Sequence, residues 1–346
     1  MTGKSKIFLI FIFMLEFDHL FGQAATDPLF NSQKPLNIAF KISIDKIRNS
    51  KRDSIYISHK LYYGNDTGRF DSIDVDIKSR GNFRLKECYF PPLWIKIKRD
   101  NAKGTVFEGN KKLKLVLSCR DRKSNNELII KEFLCYKLYE KVTPYSFRTR
   151  LAEITLTEER RKKNKTFNLK GIFIEDMDKI AKRLRAKPLT NVILNPAALN
   201  DTNAFRLELF QFMISNTDWS SLFQHNAKLI QQGRDKNIAL IYDFDMSGLV
   251  NAPYAVVSEI NGEQLDVDNV TQRRFRGFCH SPHVMEYVRK EFLSKKEEML
   301  AEPDLLKGEL SEKEIKGIRN YLEQFFDIIR DDRLFKNDIL DNCRTK

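Results

Sequence analysis

The stretch "ALIYDFDMSG" at 239–248 is an apolar run that ends in two carboxylates, Asp243 and Asp245, with Phe244 between them. Such a run is expected to be a buried strand opening onto a polar cavity, and neighbouring carboxylates repel unless a cation lies between them. The pair therefore points to a hard divalent metal. Two more polar residues stand upstream, Asp218 just after a helical pattern and Asn226 at the start of a strand pattern. Asp218 has the chemistry of a general base for an acceptor hydroxyl. Asn226 offers a neutral oxygen to Mg²⁺, and Asp243 a carboxylate that bridges metal and phosphates. Taken singly, an Asp after a helix or an Asn before a strand is a turn residue. The ordered set carries the signal.

A helix, a loop bearing Asp and Asn, a hairpin and then a metal-binding Asp is the order in which a protein kinase presents its catalytic loop and Mg²⁺ site. "FQFMISNTDWSSLFQHNAKLI" followed by "IYDFDMSG" resembles the CotH family of atypical, spore-coat-type kinases, whose members carry Asn-x-Asp, a following Asn and an aromatic-Asp-x-Asp after a strand. Upstream, "SRGNFR" at 79–84 with "LWIKIK" is similar to that family's Arg-Gly-Asn segment and lysine strand, and "KGIFIEDMD" to its Gly-aromatic-x-x-x-Glu strand. The resemblance covers roughly residues 75–250. It implies a kinase-like fold that uses ATP and a divalent cation, Mg²⁺ or Mn²⁺, to phosphorylate a protein. On that reading Asp218 is the base, Asn226 and Asp243 are metal ligands, and Asp245 is a second acidic ligand or an orienter. The chain departs from the pattern in a longer spacing from Asp218 to Asn226 and in Tyr242 where a Trp is usual. It has no G-x-G-x-x-G loop, so Gly81 would serve with Arg80 and Asn82 towards phosphate. Ile95 and Ile97 mark one strand face, which leaves Lys96 and Lys98 on the other; Lys96 is the expected phosphate contact, with Lys98 and Lys114 behind it.

The elements that must position these groups follow from periodicity. Residues 36–98 read as successive strands, "KKLKLVLSC" at 111–119 continues them, and a first helix is expected over 126–141. A hairpin-like stretch at 151–176 carries the charged turn "EERRKKNK". From Asn203 the pattern is helical, with Phe205, Leu209, Phe212 and Met213 on one stripe. Ser311 and Glu314 form a capping box ahead of a long amphipathic helix. The expected class is α+β with a two-lobed protein-kinase-like architecture, a β-rich N-terminal lobe and a mainly helical C-terminal lobe. The expected parts are a signal peptide at 1–24, a β-rich part at 25–150, a part with the catalytic and metal motifs at 151–310, and a helical extension at 311–346.

The chain has 346 residues, 42% of them hydrophobic, with 26 Phe, which suffices for a substantial core. Lys4 and Lys6 precede an apolar run at 7–15, and small residues follow at 22–25, the shape of a secretory leader. A periplasmic or secreted protein is expected, with no stable membrane span after cleavage. The formal charge of +13 is unchanged by removing the leader, where Lys4 and Lys6 cancel Glu16 and Asp18. Its expected counterpart is a protein substrate, secreted or on a surface, rather than nucleic acid. The basic run "QRRFRGF" at 272–278 is suited to steering a phosphate or acidic acceptor, or is plain surface. Five cysteines in a chain of this length do not make a disulfide scaffold, though one or two bridges fit an exported protein, and Cys135 belongs to an apolar helix face. "CHSPH" at 279–283 lacks the second pair of ligands that a zinc site needs. Two other functions compete with phosphoryl transfer. One is a metal-dependent glycosyltransferase using the Asp-x-Asp on a sugar nucleotide, which would require alternating β and α units ahead of the motif. The other is a non-catalytic binding protein.

Overall fold

The computed structural model describes residues 27–64, 68–190, 192–234, 236–260 and 263–345; the leader expected at 1–24 lies outside them. Seven strands form a closed barrel: β1 (Leu36–Ile42), β2 (Ile57–Gly64), β3 (Phe70–Ser79), β4 (Leu93–Ile97), β5 (Lys112–Leu117), β6 (Thr149–Glu158) and β7 (Lys165–Ile174). The order around it is β1-β2-β3-β4-β5-β7-β6, and β1 closes the ring by pairing parallel to β6, Leu36 opposite Ala152 through Ile42 opposite Glu158. The remaining neighbours are antiparallel. Alternation dictates this wall. Ile38, Phe40 and Ile42 on β1, Leu93, Ile95 and Ile97 on β4, and Leu113, Leu115 and Leu117 on β5 face inward, filling the barrel with side chains. Gly171 sits where β7 presses on β5 and β6. A Cβ there would come within 2.6 Å of Ile154 Cδ1 and 2.9 Å of the Val116 carbonyl, so the glycine of "KGIFIED" is a packing requirement.

Helix α1 (Lys123–Val142) lies on the outside of β6 and β7, and Val116, Leu151, Ile172 and Ile174 from that outer wall join its core. The same core takes in α2 (Asp201–Met213), the three-stranded sheet of β8 (Lys187–Leu189), β9 (Ala227–Gln232) and β10 (Lys236–Ile241), and the late helices α3 (Pro282–Ser294) and α4 (Glu312–Arg330). The Ser311 hydroxyl caps α4 by accepting from the Glu314 N–H, and Ile315, Ile318, Leu322, Phe325 and Ile329 are its buried stripe. Among the described residues no helix is long and apolar enough to cross a membrane.

The chain is α+β, but the expected two-lobed protein-kinase-like architecture is corrected by the barrel. Residue 150 falls inside β6, and the β part runs on to Ile174. The reason is topological. β6 and β7 follow α1 in sequence and so read as belonging with the helices, whereas their partners are β1 and β5. Alternation tells a strand which face is buried; it does not name the strand beside it. Two disulfides, Cys88–Cys119 and Cys279–Cys343, fit an extracytoplasmic protein, and Cys135 is free and buried on α1.

Candidate functional site

The β9–β10 hairpin brings Asn226 and Asp243 together. Asn226 precedes β9 and Asp243 follows β10, so the antiparallel ladder that sets Ala227 opposite Ile241 extends one step further, with the Tyr242 N–H donating to the Asn226 carbonyl at 3.1 Å. Both residues hold left-handed backbone, φ +47° and +68°. Asn and Asp are the non-glycine residues that adopt it most readily. The Asp243 N–H donates to Tyr136 Oη on α1 at 2.9 Å.

Asp218 lies on the loop after α2, where the Asn216 side chain accepts from its N–H at 3.0 Å. Its carboxylate is held on both oxygens: His225 Nε2 is 2.7 Å from Oδ1, and Asn226 Nδ2 donates to Oδ2 at 2.8 Å. The same Asn226 nitrogen also reaches the Asp218 carbonyl at 2.8 Å. Two acceptors on one side fix the amide's orientation and turn Asn226 Oδ1 away from Asp218. The hydrogen bond to Asp218 pulls the His225 pKa above its ordinary value, against the burial that lowers it.

Asp218, Asn226, Asp243, Asp245 and Arg80 line one cleft of about 310 Å³ between the barrel and the hairpin. Among the described residues neither the half-buried Asp243 carboxylate nor Asn226 Oδ1 has a hydrogen-bond or ion-pair partner. An unpartnered carboxylate beside a free amide oxygen is a hard-oxygen donor set that fits Mg²⁺ or Mn²⁺. Mg²⁺ takes one or two protein oxygens and completes its shell with water and substrate phosphate. No group of three His, Cys, Asp or Glu among the described residues forms a protein-only cage.

Asp245 has other partners. It is buried, with Oδ2 3.1 Å from Arg84 Nε and accepting from Tyr254 Oη at 3.2 Å. Arg84, from the single turn Phe83–Glu87, also lies 3.3 Å from Glu132 of α1 and donates to Tyr254 Oη at 3.2 Å. Two buried carboxylates thus share one guanidinium. Burial pushes Glu132 up to about 8 and Asp245 up to about 7, Arg84 opposing in both. Of this network Arg84 and Asp245 line the cleft, and sequence reasoning missed Arg84, Glu132 and Tyr254. "SRGNFR" contained Arg84, but nothing local tells a buried arginine from a solvated one.

The cations also differ from expectation. Lys96 is exposed, 3.9 Å above the Tyr56 ring, and is not among the residues lining the cleft. Arg80 lines it beside the left-handed turn at Gly81, φ +79°, with its guanidinium 5.2 Å from the Trp94 ring. Lys114 is buried behind Tyr242, its ammonium 4.1 Å from that ring, 5.1 Å from Phe147 and 5.7 Å from Trp94. Burial pushes its amine down to about 7, Arg80 acts the same way, and Asp243 opposes. The available signal was β5 itself, "KLKLVL", whose apolar residues fall on both faces and leave Lys114 no exposed side.

Within "CHSPH", Cys279 and His280 are occupied, and His283 is exposed. Cys279 is bridged to Cys343, and buried His280 sits between Asp201 at 3.1 Å and Glu208 at 2.8 Å. No protein-family model matches this chain, and no curated protein matches it.

Proposed function

We propose that the cleft binds ATP with Mg²⁺ or Mn²⁺ and transfers its terminal phosphoryl group to a protein hydroxyl in the periplasm or outside the cell, the activity of the CotH-type atypical kinases that the motifs resemble. The observation that carries this reading is the convergence of Asp218, Asn226, Asp243 and Arg80 on one cleft. Asn226 Oδ1 and the Asp243 carboxylate hold the cation. When bound, it neutralises charge on the phosphates and aligns them for in-line displacement. Arg80 supplies a cation to the phosphate chain, and Lys114 adds positive charge behind Tyr242 when protonated. Asp218 accepts the acceptor's proton as the new oxygen–phosphorus bond forms and the bridging bond to ADP breaks. His225 and Asn226 keep its two oxygens oriented for that transfer.

A sugar-nucleotide transferase is disfavoured because the motif follows a closed barrel whose described neighbours pair antiparallel, β1 with β6 excepted, rather than a parallel sheet of repeated βαβ units. The test uses the mature chain, read by metal-dependent ATP binding and by label transfer from the γ-phosphate to protein acceptors or to itself. A base contributes mainly in the transition state, whereas a metal ligand is already needed to hold the nucleotide. Asp218→Ala should therefore keep ATP affinity and lose transfer, and Asp243→Asn should lose metal-dependent ATP binding with the fold intact. Equal transfer by Asp218→Ala removes Asp218 from the mechanism. Nucleotide binding without transfer by the parent makes the chain a binding protein.

A further inference from the structure

A second, wider groove of about 660 Å³ shares Phe83, Asp218, His225 and Met246 with the cleft. Its wall is unusually apolar for an exposed surface: Phe83, Phe223 and Val256 are 40%, 72% and 65% exposed. Scattered apolar side chains need no explanation, but a set gathered around one groove marks a binding surface.

Its cations are Arg276 and Arg344. Arg276 Nε is buried without a hydrogen-bond partner, and no described residue forms an ion pair with this guanidinium. Burial lowers its pKa to about 10, Arg344 acts in the same direction, and Asp218 is the anion that opposes them. Arg344 is brought to this place by deliberate construction. The Cys279–Cys343 bridge ties the C-terminal segment to residues 277–279, where the Cys279 N–H donates to the Arg344 carbonyl at 2.8 Å and the Arg344 N–H to the Gly277 carbonyl at 3.0 Å. Its guanidinium rests 4.3 Å from the Phe278 ring. The groove's remaining acid, Glu259, is exposed. Two neighbouring guanidiniums, one with a buried unsatisfied donor, are costly to a fold and are relieved by an incoming anion.

We propose that this groove docks the acceptor, an acidic and partly apolar segment of a partner protein. Arg276 and Arg344 take a carboxylate of that segment, and Phe83 and Phe223 take an apolar side chain. A neighbouring hydroxyl is then presented to Asp218, which both surfaces share. The assignment as acceptor site rests on the phosphoryl-transfer reading of the cleft. The net charge of +13 favours the same class of partner by steering acidic chains towards the surface.

Fluorescence anisotropy with the mature chain tests this, using labelled peptides of equal length that carry Ser and Leu flanked by Glu, by Gln or by Lys. Mg²⁺-dependent ATP binding and thermal melting are measured on the same samples. The Glu peptide should bind roughly tenfold or more tightly than the Gln peptide, the scale of a charged hydrogen bond. Arg276→Gln and Arg344→Gln should lose most of that preference while keeping ATP affinity. Arg276→Gln should melt no lower than the parent, because a part-buried cation whose Nε has no hydrogen-bond partner is removed, which separates binding from scaffolding. Equal binding of the Glu and Gln peptides, or a preference that survives both substitutions, overturns the proposal. So does inorganic phosphate that abolishes the preference as well as the peptide itself does, which would mark a small-anion site. Acidic preference without any ATP binding would instead sink the kinase reading and the acceptor role with it.

Discussion

At the scale of single residues, Lys114 behaves unlike its type. An unfolded chain keeps a lysine protonated to about pH 10.4, whereas burial among Trp94, Phe147 and Tyr242 brings the folded amine to about 7. Between these values the unfolded chain binds the extra proton, so this residue makes stability rise with pH across that window, by on the order of a few kcal/mol. Lys114→Met should remove that slope. The check is the difference in melting temperature between the two chains from pH 7 to pH 10, and parallel profiles would show that Lys114 is not held as described. Asp218, Asn226, Asp243 and Arg80 were legible because their types and order have a chemical meaning on their own. The choice between Lys96 and Lys114 was legible only in part: apolar residues on both faces of β5 mark Lys114 as buried, but the rings it meets, from Trp94, Phe147 and Tyr242, come from distant parts of the chain.

Among elements, a polar contact that joins the barrel to the hairpin is the Arg84 cluster, linking the turn Phe83–Glu87, α1 and the segment after β10. Burial raises both carboxylates, so the folded chain holds protons that the unfolded chain releases above about pH 4.3. Stability from this cluster is present below that value and is lost as pH rises through the range where Asp245 and Glu132 ionise, about 7 and about 8. Glu132→Gln should flatten the decline, leaving Arg84 paired with Asp245. Arg84→Met should instead leave two buried acids facing each other and cost roughly 3–5 kcal/mol at pH 8, less at pH 5 where they are protonated. Denaturant melts of the three chains at both pH values decide this, and an Arg84→Met chain as stable as the parent at pH 8 would show the cluster to be incidental. Long periodic elements were readable in advance: the helix expected over 126–141 forms at Lys123–Val142, and the charged run at 158–165 is the β6–β7 connection. The turn at Phe83–Glu87 has too few residues for any period to show.

For the whole molecule, the ladder between β1 and β6 is the feature that local patterns could not announce. It joins residues 36–42 to 152–158 across the length of α1, and it converts an expected lobe into a closed barrel with no free edge. Closure also changes how the parts depend on each other. Val116, Leu151, Ile172 and Ile174 on the outer wall share one apolar cluster with Phe205, Phe210, Phe244 and Phe325 of the helical part, so the barrel cannot lose that partner without exposing its own wall to water. Two lobes meeting at a polar cleft would unfold separately; a barrel and a helical layer with a common core should unfold together. Thermal unfolding of the oxidised chain is therefore expected to give one transition, coincident by far-ultraviolet and near-ultraviolet circular dichroism, with the calorimetric enthalpy matching the van't Hoff value. Two resolved steps would mean that the shared cluster is weaker than its burial implies.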